Sequence, residues 1–196
     1  MNNIRPNYYK SFRSRSKTEF ENFSLSLNEL IDKKEKIILD IGFGTGDSSI
    51  EIQRLNPDKV IFGIEAYKPG IAKLATNKIH FFYGDAVELI ENTKSSSIEM
   101  IFMLFPDPWP KKKHRKRRLM NEYTFRELER ILVPSGKLHF CTDNINYAFS
   151  TLEMIKDITK SKLSFSKNRQ SRPITKYEQK ANKKNNFIFD IVFYKK

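Results

Sequence analysis

The sequence predicts an α/β fold, a mostly parallel sheet with helices on both faces. Three observations predict it. Short apolar runs recur along the 196 residues. Stretches with helical spacing separate them. Most of the runs close on an acid or on glycines, as buried parallel strands do. Hydrophobic residues make up 39% and aromatics 13%, enough for a sizeable core, and the length suits one domain.

Taken in order, residues 1–20 are polar, basic and rich in Arg, Ser and Tyr. They are predicted to be a flexible arm ahead of a single domain over 21–196. KIILDIG ends in glycines and is the first strand. SSIEIQRL places Ile50, Ile52 and Leu55 where a helix could bury them. KVIFGIE is the second strand, PGIAKLATN a helix, and IHFFYGD the third strand. AVELIEN is a helix and SIEMIFMLFPD the fourth strand. TFRELERILVPSG is a helix with Phe125, Leu128, Ile131 and Leu132 on one side, ended by Pro134 and Gly136. KLHFCTD is the fifth strand and NYAFSTLEMIKDI a helix. KLSFS and FIFDIVFYKK supply two final strands.

The net charge is +13, from 36 Lys and Arg against 23 Asp and Glu. Such an excess favours polyanionic partners, nucleic acid or an acidic membrane surface. One cysteine, Cys141, excludes an internal disulfide and fits a reducing compartment. The first residues lack the apolar core of a signal peptide, and no run approaches the ~20 apolar residues of a membrane helix. The chain is expected in the cytoplasm, without a membrane partner. His80, His114, His139 and Cys141 have no zinc-like spacing, so no metal is expected.

In open parallel sheets ligands bind beyond the carboxyl ends of the strands. Those ends carry Asp40, Glu65, Asp85, Asp107 and Asp143. Five carboxylates along one edge point to a site. Asp40 opens Asp-Ile-Gly-Phe-Gly-Thr-Gly, a strand-to-helix turn in which Gly42, Gly44 and Gly46 let the backbone bend sharply and a ligand approach. The spacing is GxGxG, not the GxGxxG of dinucleotide binding. Glu65, 19 positions after Gly46, is placed to accept hydrogen bonds from a ribose diol. Asp40 would be a poor neighbour for a pyrophosphate but suits an ammonium or a sulfonium. Together these favour S-adenosylmethionine over NAD. Asp85 is placed to accept from an adenine amine. It is equally placed to cap the helix that follows.

FPDPWPKKKHRKRR joins an acid, a tryptophan and eight consecutive basic residues. Prolines flank Asp107 and present it rigidly. Trp109 either stacks on a base or plugs the edge of the core. The run from Lys111 to Arg118 is either a phosphate-binding surface or a solvated basic loop or targeting signal. SRPITKYE, predicted as a loop before the last strand, brings further Arg, Lys and Tyr side chains to the same edge.

In this order DIGFGTG, GIE, GDA, FPDPWPKKKHRKRR, CTD and SRPITKYE resemble the bacterial tRNA (guanine-N7-)-methyltransferases. The resemblance covers roughly residues 36–196. It implies a Rossmann-like class I methyltransferase fold with a seven-stranded sheet. It also implies transfer of a methyl group from S-adenosylmethionine to N7 of guanine 46 in the tRNA variable loop, leaving S-adenosylhomocysteine. Asp40, Gly42, Gly44, Gly46, Glu65, Asp85 and Asp107 match cofactor-binding positions, and Asp107 also matches the catalytic acid. Lys111, Lys113, His114, Arg115, Lys116, Arg117, Arg118, Asp143, Thr175, Lys176, Tyr177 and Glu178 match positions that contact tRNA. The first acid, often Glu in that family, is Asp40 here. A monomer and a homodimer are both compatible with the sequence. Three other readings compete. An exocyclic-amine methyltransferase would carry Asp-Pro-Pro-Tyr at the fourth strand end, where this chain has Asp-Pro-Trp-Pro. A non-catalytic RNA-binding protein has no need of five acids along the edge. An NAD-dependent reductase would carry GxGxxG.

Overall fold

The computed structural model describes residues 27–66, 79–167 and 169–196. The predicted arm and the PGIAKLATN helix lie outside the described residues. Seven strands form one sheet in the order β3-β2-β1-β4-β5-β7-β6. They are β1 (Ile37–Ile41), β2 (Val60–Glu65), β3 (Ile79–Tyr83), β4 (Ile98–Leu104), β5 (Leu132–Thr142), β6 (Lys162–Ser166) and β7 (Phe189–Tyr194). The first five pair in parallel, and β7 runs antiparallel between β5 and β6. Among the described residues the helices are, in chain order, α1 (Asp47–Leu55), α2 (Ala86–Glu91), α3 (Glu122–Ile131), α4 (Ile145–Ile158) and α5 (Lys176–Lys183). A further helical stretch over residues 27–32 packs Leu27, Leu30 and Ile31 onto the core.

Side chains alternate across a strand, and this divides the core in two. Ile37, Leu39 and Ile41 of β1 join the cluster that holds Leu89 of α2, Phe125 of α3 and Tyr147 of α4. Ile38 points to the other face, where it meets Ile52 of α1 and Phe102. Asp40 falls on the α1 side by the same alternation. On the first face α2, α3 and α4 each begin with a side-chain cap. Asp85, Asn121 and Asn144 accept from the main-chain N–H of Val87, Thr124 and Tyr147.

Four predicted details change. In α1 only Ile52 is buried, with Ser49 beside it; Ile50 and Leu55 are 38% and 51% exposed. The buried stripe therefore runs through 49 and 52, because α1 touches the sheet along a narrow line. The helix before β5 ends at Ile131, earlier than predicted, and Leu132 already pairs with Ile98. Pro134 and Gly136 sit in an irregularity of β5 before Lys137 pairs with Met100. Lys176 to Glu178 open α5 instead of lying in a loop, capped by Thr175. The last strand starts at Phe189, which leaves Phe187 outside it.

β1 lies between β2 and β4, so the strand order reverses at its carboxyl end. A crevice opens at such a switch point.

Candidate active site

The turn after β1 lines the crevice. Gly42, Gly44 and Gly46 have φ of 79°, 58° and 84°, the left-handed region that favours glycine. A Cβ on Gly42 or Gly44 would meet no atom within 4 Å, so both α-carbons face open space. Gly63 answers a different need. A Cβ there would come within 2.8 Å of the Phe43 ring and 2.9 Å of Phe81. Its absence lets Phe43 pack on Phe81 with ring centres 4.5 Å apart, which holds the turn against β2 and β3.

Glu65 is bound into this frame. Its carboxylate accepts from the main-chain N–H of Gly44 at 2.9 Å and of Ala66 at 2.7 Å. An ionised carboxylate has about four lone-pair sites, so further donors can be accepted at the crevice. Asp40 lies below, 1% exposed, and accepts from the Ser49 hydroxyl at 2.5 Å. Burial pushes its pKa up to about 6. The Ser49 hydrogen bond opposes that shift, and the nearby Glu65 charge adds to it. Asp85 caps α2 through Val87 at 2.9 Å.

A cavity of about 360 Å³ occupies the crevice. Its walls include Gly42, Gly44, Thr45, Glu65, Leu104, Lys176 and Tyr177. α5 forms the far wall. Lys176 reaches across to Asp47 at 2.6 Å and to the Thr45 hydroxyl at 3.2 Å. The Lys176 hydrogen bond is the chief reason that the Asp47 carboxyl lies below its usual range. Thr175, Lys176 and Tyr177 thus stand with the glycine turn, although 130 residues separate them in sequence.

Asp107 borders two adjoining cavities. One, of about 130 Å³, shares Gly42, Gly44, Glu65, Leu104 and Tyr177 with the first cavity and adds Phe105, Asp107 and Trp109. The other, of about 210 Å³, runs from Asp107 and Pro108 to Asp143, Lys180 and Lys184. Asp107 is exposed, and the backbone on each side is strained: Phe105 and Trp109 have φ of 53° and 41°. Main-chain bonds support the turn. Phe105 N–H donates to the Cys141 carbonyl at 2.9 Å.

Lys112 to Arg117 form a 3-10 helix led by Lys111. Lys111, Lys113, Arg115 and Lys116 are exposed. Arg117 places its guanidinium 4.9 Å from the centre of the Trp109 ring, and His114 meets that ring edge-on at 5.8 Å. Desolvation, then the surrounding Arg117 and lysines, holds the His114 imidazole below its usual pKa. Arg118 turns inward. It is 5% exposed, donates to the Pro108 carbonyl at 2.9 Å and to Ser150 at 3.0 Å, and lies 4.4 Å over the Tyr147 ring.

Glu178 is also turned inward, 5% exposed and paired with Arg172. The same guanidinium donates to both oxygens of Asp190, at 2.6 and 3.0 Å, and His139 meets Asp190 at 2.7 Å. Burial disfavours the charge on Asp190, but the bonds from His139 and Arg172 outweigh it and hold its pKa below the usual value. This network ties α5 to β5 and β7. Sequence reasoning passed over it, together with Asp47 and Lys180 on the cavity walls. The signal for the network was Asp190 itself, an acid inside an apolar strand.

Among the described residues no group of His, Cys, Asp and Glu could hold a metal ion. No described helix is long and apolar enough to cross a membrane.

A family model described as "Putative methyltransferase" matches residues 34–191. A tRNA (guanine-N(7)-)-methyltransferase of Buchnera aphidicola is 34% identical, over 94% of this chain and 82% of its own length. The enzyme of that name from Chromobacterium violaceum is 31% identical, over 91% and 84%. Among solved structures, a precorrin-6y C5,15-methyltransferase from Geobacter metallireducens superposes with a TM-score of 0.57 at 16% identity, covering 96% of both chains. A SAM-dependent methyltransferase from Archaeoglobus fulgidus reaches 0.54 at 14% identity, over 95% and 97%. These two bear on the fold alone. With its glycine turn, its five strand-end acids and its basic run in the order described, the chain belongs to the bacterial tRNA (guanine-N7-)-methyltransferase family.

Proposed function

We propose that this protein transfers a methyl group from S-adenosylmethionine to N7 of guanine in tRNA, at position 46 of the variable loop, in the cytoplasm. The observation that carries the reading is the shared wall between two cavities. Gly42, Gly44, Glu65, Leu104 and Tyr177 border both the crevice at the glycine turn and the space beside Asp107. A donor held in one and a base held in the other meet at Leu104 and Tyr177.

The crevice fits the cofactor. Its volume lies within the usual range for small-molecule sites, about 300–1,000 Å³. Glu65 is fixed to accept from a ribose diol, and the open faces of Gly42 and Gly44 leave room for close approach. Asp40 stands beneath the turn, 1% exposed and off the cavity wall, so its carboxylate would act on a cationic amino group through its charge and not by direct contact. S-adenosylmethionine supplies a methyl group made electrophilic by its sulfonium.

The chain's own residues supply alignment and charge. Guanine N7 carries a lone pair and no proton, so the site needs no strong base. Holding two reactants in line contributes several kcal/mol. Positive charge passes to the purine as the methyl moves. Asp107, fixed between strained residues, offers a carboxylate to the guanine edge and to that charge. Tyr177, 60% exposed and stacked on Phe105 with ring centres 6.4 Å apart, gives the base a flat neighbour. The exposed cations of the 3-10 helix meet the phosphates.

The test is methyl transfer from labelled S-adenosylmethionine to unmodified tRNA, with the product nucleotide mapped. Label as 7-methylguanine at position 46, lost from a tRNA with another base there, is the expected result. Label on an exocyclic amine, or none, overturns the reading.

A further inference from the structure

We propose that an aromatic and basic strip beside the Asp107 site, built from Phe187, Phe149, Ile145 and Lys167, is a second RNA-contacting surface that stacks an unpaired nucleotide next to the target. The inference rests on the tRNA reading above and extends it to residues outside the site.

Phe187, Ile145 and Phe149 are 67%, 54% and 42% exposed. Large apolar side chains grouped at one surface usually mark a binding site. They belong together. Ile145 and Phe149 stand one turn apart on α4. The Phe149 ring packs on Phe165 at 5.6 Å and on Phe189 at 6.2 Å, and Phe165 lies parallel to Phe189 at 6.0 Å. Lys167 sits 5.1 Å over the Phe187 ring.

Position decides the partner. β6 runs parallel to β5, and β7 begins where β5 ends, since Phe189 pairs with Thr142. Lys167 after β6, Phe187 before β7 and Ile145 after β5 therefore stand at the same sheet edge as Asp107. The link is continuous. The cavity at Asp107 reaches Asp143 and Lys184, and Asp143 accepts from the Asn186 side chain at 3.0 Å, next to Phe187. Lys167, over the Phe187 ring, and Lys184, on the cavity wall with Asp143, are both exposed. The next turn of α4 carries the exposed acid Glu153, which ends the cationic surface on the side away from the site. Rings bordered by lysines and continuous with a nucleic-acid site fit the face and the backbone of an unpaired nucleotide.

The experiment uses the full chain with Phe187→Ala, Phe187→Trp and Lys167→Ala. Loss of a stacking ring should raise the Kd for tRNA about tenfold. Saturated turnover and the Kd for S-adenosylmethionine should hold at wild-type values, and Phe187→Trp should restore tRNA binding. Lys167→Ala should flatten the log–log salt dependence by roughly 0.7–0.9, and Phe187→Ala should leave that slope unchanged. If wild type binds and methylates tRNA and Phe187→Ala binds it equally well, the strip is not an RNA surface and the function stands. If wild type neither binds nor methylates tRNA, both readings fall. A mass that rises with concentration in light scattering, and that Phe187→Ala abolishes with no change in tRNA affinity, assigns the strip to a second copy of the chain and overturns the proposal.

Discussion

Arg118 closes the loop that carries Asp107: its Nε–H donates to the carbonyl of Pro108 at 2.9 Å, from a side chain only 5% exposed. The last residue of the basic run is therefore a brace. It also donates to Ser150 on α4 and covers the Tyr147 ring, whose hydroxyl accepts from Met120 N–H at 2.8 Å. The 3-10 helix and the Asp107 turn are thus held to one helix through one side chain.

Arg118→Ala should cost roughly 2–3 kcal/mol of stability, the scale for hydrogen bonds to a charged group that is lost from a buried position. Turnover should fall as well, because Pro108 adjoins Asp107. Arg118→Lys should recover little of either, since an ammonium cannot make the two divergent bonds of the guanidinium. Denaturant melts and single-turnover rates on the three proteins check this. Unchanged stability in Arg118→Ala would remove the brace.

Asp40 makes ligand-free stability depend on pH in an unusual direction. Its native pKa of about 6 lies above the ordinary 3.8. The native state then binds the proton more tightly than the unfolded chain. The stability it contributes is complete below the unfolded value and is lost as pH rises towards the native one. Between about pH 4 and about pH 7 the loss should be roughly 2 kcal/mol. Asp40→Asn lacks this term. Relative to wild type, the variant should gain stability as pH rises across that window and should bind S-adenosylmethionine more weakly. Denaturation of both proteins at several pH values reads out the difference directly. A constant difference between them would mean that Asp40 titrates normally.

Asp107→Ala should lower turnover by two or more orders of magnitude, while tRNA affinity stays within about threefold. An interaction made mainly in the transition state affects rate more than binding. Asp107→Asn keeps the hydrogen-bond acceptor and loses the charge, so it should fall between wild type and Ala. Rates at saturating tRNA, with affinities measured separately, decide this. Wild-type turnover in either variant would take the catalytic role from Asp107.

Much of this architecture was legible because it rests on local rules. Strand runs, glycine turns and capping residues write themselves into neighbouring positions. The strand-end acids could be found because a parallel sheet sends successive carboxyl ends to one edge. Contacts between distant segments were not legible. Nothing near Lys176 announces Asp47, and nothing near Arg172 names Asp190 and Glu178 as partners. Those pairs exist only once α5 has docked across the sheet. The inward turn of Arg118 was hidden for a related reason. It is one of eight basic residues in a row, and only the path of the 3-10 helix sends it to Pro108.

The exposed members of the run, among them Lys112, Lys113, Arg115 and Lys116, face solvent. Cations on phosphates release counterions, so each lost contact should flatten the log–log salt dependence of tRNA binding by roughly 0.7–0.9. Replacing those four residues with Ala should weaken binding most at low salt and leave the stability of the fold near its wild-type value, because none is buried. The methylated nucleotide should stay the same, since phosphate contacts position the RNA and do not specify the base. Isotherms at several salt concentrations, paired with mapping of the product nucleotide, test both halves. An unchanged slope would show that the run is a solvated loop. A shifted methylation site would show that it reads bases.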